Sequence, residues 1–423
     1  MKIFAPCGFT YRNQGDALLL TSLQKALVDR FGAGTDISFS SFTPSEDSAH
    51  YGALVGPQPL SHLRRLYPRV PPPLRSLFPA LAVVETLVFF VLLRVLGPRI
   101  CARLPFPRSW RFVCSNAADA EVTVGVPGGY LMAPTATDWY WLSHACTLIA
   151  SAASGKPTIL SPCSIGPFAR PYAPVAKFVL SRVDLIVVRE RESRSQLRRL
   201  GVSDEKILVG ADMAFYSRTP HARLEQNAVP VIGVSVRAHA FPNLPDQEAL
   251  WNKYLDSVAA AVDWAEAELG AKVVFVPQCT GSGGDDPAVS RAVVQRCRPG
   301  SSAEVMESTV DVDSLRRLYA GFDLLLGTRM HANLIALTQA VPVVAIAYEH
   351  KTHGIMAQLG LDEFVVDIAG VSPGALVALV SDAWQRREEL RKSLQDEIIP
   401  RAAAEAEEWL EYLGPSRPLL IGS

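Results

Sequence analysis

Short apolar runs bounded by glycine, proline or aspartate recur along the chain, and longer stretches with apolar residues three and four apart lie between them. The short runs predict strands at residues 2–5, 121–126, 157–161, 185–189, 206–209, 231–236, 272–276, 324–327 and 341–347. Most are rich in Val and Ile and show no in–out alternation, as strands buried on both faces require. The longer stretches predict helices at 17–30, 194–200, 247–269 and 314–320. Strands that alternate with helices imply βαβ units, hence an α/β fold with parallel sheets. At 423 residues the chain exceeds one ordinary core, and the polar, Pro-containing stretch 217–230 separates two strand–helix series. Two domains are expected, 1–222 and 223–423, the second ending in solvent-facing helices over the charged tail 382–411.

One segment breaks the alternation. Residues 57–111, an insert in the first domain, are rich in Pro and Arg and surround an apolar helical run at 77–97 that is barely long enough to span a bilayer. Pro79, Glu85 and Arg94 interrupt it, and arginines flank it on both sides, whereas a span normally carries its basic residues on one side. Two readings fit better: a core helix of the first domain, or a helix lying in an anionic membrane surface, with Phe89 and Phe90 meeting the lipid.

Charge and cysteine content narrow the function classes. With 41 basic and 42 acidic residues, no bulk field draws the chain to nucleic acid, and specific small-molecule chemistry fits better. Seven scattered cysteines without a C-x-x-C pair argue against a disulfide framework or a zinc site. The N-terminus enters a strand-like run without the apolar stretch and cleavage site of a signal peptide. A cytoplasmic protein is expected, peripheral on the inner face of the plasma membrane if the apolar helix lies in lipid.

Candidate chemistry sits where strands give way to helices. Asn13, Gly15 and Asp16 open the first helix, either turning backbone N–H groups to a ligand or supplying Asp16 as a plain N-cap. Gly128 and Gly129 permit close backbone approach, and 161–168, with Ser164 and Gly166, reads as another loop after a strand. Cys163 within it reads as a packed residue. Arg189 ends a strand and is the cation there best placed to point inward; Asp212 either orients a base or makes a turn. Arg237 and Gln278 end strands in the second half. The most telling group is Arg329-Met330-His331, at the junction of the apolar run 322–326 with a helical pattern at 334–340, together with Tyr348-Glu349-His350-Lys351-Thr352-His353. Open α/β sheets bind ligands at such junctions, where helix N-termini present free N–H groups.

In this order the segments resemble the polysaccharide pyruvyl transferase family. The resemblance is carried by Asn13-x-Gly15-Asp16, Gly128-Gly129, Ser164-Ile165-Gly166-Pro167-Phe168, Arg189-Glu190 with Ser193, Asp212 with Phe215, Arg329-x-His331, and Tyr348 with Lys351. It covers most of the chain outside the insert, which is not part of the family pattern. It implies two Rossmann-like domains facing across a cleft in the GT-B manner. It also implies transfer of an enolpyruvyl-derived unit from phosphoenolpyruvate to a sugar, as a cyclic ketal across two hydroxyls, with no metal and no cofactor beyond that donor substrate.

The residues suit such chemistry. Phosphoenolpyruvate carries a phosphate and a carboxylate, each of which an arginine can hold in a two-pronged grip. Arg329 and Arg189 are expected on these anions, Lys351 on the phosphate and His331 at the proton transfer, with Asn13, Gly15, Asp16, Gly128, Gly129, Ser164 and Gly166 lining the donor. Asp212, Arg237, Gln278, Tyr348, Glu349 and His353 are expected behind these groups or against the acceptor, a saccharide or glycolipid of the cell envelope. The alternative is a GT-B glycosyltransferase whose cations hold a nucleotide-sugar diphosphate; a non-enzymatic sugar-binding protein would have no use for the Arg329, His331 and Lys351 set. Nothing in the pattern bears on oligomeric state.

Overall fold

In a computed structural model the chain forms two compact units, each built on a parallel sheet. The description covers residues 1–413 except 7, 9, 10, 12, 217–228, 243, 281–284 and 308–310. Most of the expected linker, 217–230, and Cys7 therefore lie outside the described residues.

The first unit comprises Met1–Tyr11, Leu19–Ser217 and the chain from Glu405. Its strands are β1 (Lys2–Ala5), β2 (Asp36–Ser41), β3 (Leu54–Pro57), β4 (Val122–Gly125), β5 (Gly128–Ala133), β6 (Thr158–Phe168), β7 (Leu185–Val188) and β8 (Ile207–Val209). They run in the order β3-β2-β1-β4-β6-β7-β8, with β5 also paired to β6. The second unit comprises Arg12–Leu18 and Arg218–Ala404. Its strands β9 (Val231–Ser235), β10 (Lys272–Phe275), β11 (Glu304–Val305), β12 (Leu324–Gly327), β13 (Val343–Ala347) and β14 (Val365–Asp367) run β11-β10-β9-β12-β13-β14. In both sheets the chain grows outward from a first strand, returns, and continues on its other side. That is the Rossmann order, with switch points between β1 and β4 and between β9 and β12.

Several local expectations need correction. Residues 161–168 are not a loop but the second half of β6, because β5 pairs alongside and supplies their backbone partners. Gly128 and Gly129 begin β5, with Gly128 opposite Cys163. The polar sequence of β2 and the shortness of β11 and β14 hid those strands from a reading based on apolar runs. The charged tail is helical but not simply solvent-facing: Leu390, Leu394, Ile398, Ala402, Ala406 and Trp409 are buried.

The insert forms a helix, Phe78–Cys101, seated on the first unit along one face only. Ala82, Thr86, Phe89 and Leu93 recur at helical spacing and are buried. Phe89 meets the Trp110 ring edge-on at 3.7 Å, and the Cys146 thiol donates to Thr86 Oγ1 at 3.7 Å. Phe90 is half-buried and stacks on Phe178. Phe89 and Phe90 are therefore not a lipid-facing pair; burying Phe89 contributes about 2 kcal/mol to the fold. Glu85 accepts from Trp110 Nε1 at 2.9 Å, with His62 Nε2 at 3.0 Å from its other oxygen. By length and composition this is the one helix among the described residues able to cross a membrane.

Candidate functional site

The second unit gathers its cations at the carboxyl ends of β9, β12 and β13. Ser235 of β9 pairs in register with Gly327 of β12, so Arg237 and Arg329 each lie two residues beyond matched positions at the switch point. Arg329 is the N-cap of the helix Met330–Thr338, which places His331 in its first turn, where free N–H groups favour an anion.

Asp286 fixes the Arg329 guanidinium. Nη2 of Arg329 lies 2.5 Å from Oδ1, and Nε lies 3.2 and 3.1 Å from the two carboxylate oxygens. The Arg329 side chain is 14% exposed and that of Asp286 1%. Burial opposes the arginine's charge, but Asp286 outweighs it and holds the pKa above its ordinary value. Asp286 is held in turn by the N–H groups of Gln278 and Cys279, each 3.0 Å from Oδ2. It opens the helix Asp286–Val294, which Asp285 caps by accepting from the Ala288 N–H.

The N-terminal loop completes this corner. Asn13, not Asp16, caps the first helix, Gln14–Phe31: its Oδ1 accepts the Gly15 N–H at 3.1 Å. Asn13 also bridges to Cys279, and the Gln14 N–H donates to the Gln278 carbonyl at 3.4 Å. Gly15 is thereby pressed against His331, so that a side chain there would fall on the imidazole Nδ1, Cγ and Cβ. Gln278 points the other way, donating through Nε2 to Tyr319 Oη in the core.

Tyr348 is the centre of a second group. The Arg237 guanidinium lies 3.9 Å over its ring, the His239 ring 5.7 Å away and Lys351 Nζ at 6.0 Å. Lys351 pairs with Glu349 at 2.5 Å. Burial would raise the Glu349 pKa, but Lys351 and Arg237 keep it below the usual carboxylate range. Burial and the Arg237 charge push His239 below its ordinary value of 6.5. His353 is exposed, 3.9 Å from Asp367 at the end of β14.

The first unit brings together another expected set. Arg189 is 1% exposed; its Nη1 donates to Asp212 Oδ2 at 2.6 Å and its Nε to Ser164 Oγ at 2.8 Å. Ser164 donates to Glu190 at 2.9 Å, Ser193 also donates to Glu190, and the Ile165 N–H donates to Ser193 Oγ at 2.7 Å. Asp212 further accepts the Ala214 N–H. This buried network ties β6 to the ends of β7 and β8, and Arg189 points inward, as its place at a strand end implied. Gly166 takes a positive φ of 73° and packs against Gln196.

Asp286 and His239 were not singled out from sequence. Asp286 sits in an Asp-Asp-Pro start that reads as an ordinary helix cap. His239 carries a signal in hindsight, since Arg237-Ala238-His239 repeats the spacing of Arg329-Met330-His331 at the neighbouring strand end. Among the described residues no group of three or more His, Cys, Asp or Glu side chains could hold a metal ion.

Two Rossmann-type sheets in series define the GT-B class of fold, and solved structures agree. Staphylococcus aureus MnaA, determined with UDP, superposes with a TM-score of 0.58 at 12% identity, over 97% of this chain and 95% of that one. Anabaena HepE, determined with UDP-glucose, gives 0.55 at 15% identity over 96% and 95%. In sequence, the chain belongs to the polysaccharide pyruvyl transferase family, whose pattern matches residues 13–350. The amylovoran biosynthesis protein AmsJ of Erwinia amylovora is 30% identical over 263 residues, 59% of this chain and 62% of that protein. The match thus spans less than two thirds of AmsJ.

Proposed function

We propose that this protein transfers a pyruvyl unit from phosphoenolpyruvate to two hydroxyls of a sugar in a cell-envelope polysaccharide or its precursor, forming a cyclic ketal and releasing phosphate. The observation that carries the reading is the convergence of Arg237, Arg329, His331 and Lys351 at the switch point and adjoining strand end of one sheet. A donor with two anionic groups needs two or three fixed cations, and Asp286 and Tyr348 fix two of them before any ligand arrives.

In this reading Arg329 and Arg237 hold the carboxylate and phosphate, and Lys351 exchanges Glu349 for a phosphate oxygen. His331 gives a proton to the methylene carbon, leaving positive charge on the central carbon. A sugar hydroxyl adds there and gives up its proton to a base, for which His239, held neutral near pH 7, is suited. The second hydroxyl then displaces phosphate and closes the ring, its proton passing to His331, which the first step left neutral. Arg189 orders the first unit's loops through Asp212 and Glu190.

The test is incubation with phosphoenolpyruvate and a cell-envelope glycan extract, reading phosphate release and a pyruvyl mass gain on the glycan. A second reading, transfer from a nucleotide sugar, is favoured by the likeness to structures that hold UDP and UDP-glucose. Thermal stabilisation by phosphoenolpyruvate and not by UDP selects the first; the reverse selects the second.

A further inference from the structure

The helix Phe78–Cys101 has a second face that the protein does not cover. Leu77, Leu81, Val84, Val88, Val91 and Val95 follow one another at steps of four and three and are 49–74% exposed, opposite the buried Ala82, Thr86, Phe89 and Leu93. At about 1.5 Å per residue this apolar stripe runs some 27 Å. Beside it opens a groove of about 1070 Å³ whose floor includes Leu87, Phe90, Val91, Ile149, Val175 and Phe178. Arg94 and Arg182 also line it, the Arg182 guanidinium lying 3.6 Å over the Phe178 ring.

The charge around this surface is one-sided. Residues 57–111 hold nine arginines, no lysine and a single acid, Glu85, a net +8 in a chain whose total is −1. Glu85 is engaged by Trp110 and His62. Arg65 and Arg69 before the helix, and Arg94, Arg99, Arg103 and Arg108 along and after it, are exposed. The step pattern of the stripe would also suit pairing with a second copy. Because arginines flank the stripe at both ends, either parallel or antiparallel pairing would set arginine against arginine. An anionic surface with a hydrocarbon interior satisfies both features at once.

We propose that this face docks on an anionic lipid bilayer. The stripe enters the boundary between headgroups and acyl chains, the groove receives acyl chain, and the arginines meet lipid phosphates. The helix does not cross, since its other face is packed on the first unit. This inference does not depend on the transfer chemistry, and its readout is separate from activity.

The experiment is sedimentation of the full chain with vesicles of phosphatidylglycerol and phosphatidylcholine in equal parts, against vesicles of phosphatidylcholine alone. Expected are binding to the anionic vesicles only, and release at high salt, which a spanning helix would not show. Each exposed valine that enters lipid is worth roughly tenfold in partition. The triple variant Val84→Ser, Val88→Ser, Val91→Ser should therefore bind on the order of a thousandfold more weakly, with its thermal midpoint unchanged because these side chains face outward. Arg99→Glu with Arg103→Glu should weaken binding without touching the apolar face. The proposal is overturned if the wild-type chain ignores anionic vesicles, or if the triple variant binds them undiminished. A triple variant that turns a vesicle-indifferent dimer into a monomer overturns it too, and assigns the face to a second copy.

Discussion

Gly15 and His331, more than three hundred residues apart in sequence, are in direct contact: the glycine's missing side chain is the space that the imidazole occupies. The turn capped by Asn13 therefore sets the position of the residue assigned to proton transfer. Gly15→Ala should displace the ring by a fraction of an ångström to about an ångström and lower turnover roughly a hundredfold, with donor affinity changed much less. Steady-state kinetics check this. If His331→Ala is equally slow and Gly15→Ala adds nothing to it, the two act through one device; additive losses would mean that Gly15 matters for another reason.

Arg329 is expected to carry both stability and donor affinity, and the two can be separated. Arg329→Met leaves the buried Asp286 carboxylate without its cation and should cost about 3 kcal/mol of stability as well as donor binding. Adding Asp286→Asn should recover much of the stability, because the side-chain oxygen can still accept from Gln278 and Cys279, while phosphoenolpyruvate affinity stays lost. Arg329→Lys keeps the charge but loses the two-pronged grip, so affinity should fall there as well. Urea melts and calorimetric titration with phosphoenolpyruvate read the two effects. Normal donor affinity in Arg329→Met would remove this arginine from the site.

What the sequence made legible follows from what is local. Strands such as Leu324–Gly327 and Val343–Ala347 announce themselves as short apolar runs, and Arg329 and His331 stand out because they follow one directly. The Asp286 partner of Arg329 could not be found in this way: it enters from the helix after β10, and only the sheet order brings it beside the end of β12. The same holds for His239 beside Tyr348. Residues 161–168 looked like a loop because Pro162, Gly166 and Pro167 are poor strand formers, and the pairing with β5 that overrides them is a tertiary fact. In the helix Phe78–Cys101 the spacing could mark two opposite apolar faces, but not which of them meets the protein.

His144 should make the fold sensitive to acid. It is buried between the Tyr130 ring at 4.8 Å and the Phe42 ring at 5.9 Å, and burial, aided by the positive charge of Arg64, holds its pKa down to about 3 from 6.5. The unfolded chain binds this proton more readily than the folded one. The contribution is therefore fully present above about 6.5 and is lost as pH falls toward 3, by at most about 1.4 kcal/mol per pH unit. In His144→Phe this part of the slope should vanish. Denaturant midpoints followed from neutral to acid pH test it; an unchanged slope in the variant would assign the acid sensitivity to other groups.

In the proposed transfer the first two proton steps fall to different imidazoles. His331 must be protonated to give its proton to the methylene carbon, so removing it should abolish the alkaline limb of the pH–rate profile and lower turnover by about 10² to 10⁴. His239 must be neutral to take the hydroxyl proton. Its pKa is depressed by burial and by Arg237, so its limb lies on the acid side, below 6.5. His239→Asn should flatten that limb and slow turnover while phosphoenolpyruvate affinity holds, because Arg237 and Lys351 still bind the donor. Donor affinity lost along with turnover in His331→Asn, with both limbs intact, would make His331 a phosphate ligand only. Full activity in both variants, with loss in His350→Ala or His353→Ala, would move the proton chemistry to the loop after β13 and leave the two Arg-x-His strand ends as an anion clamp.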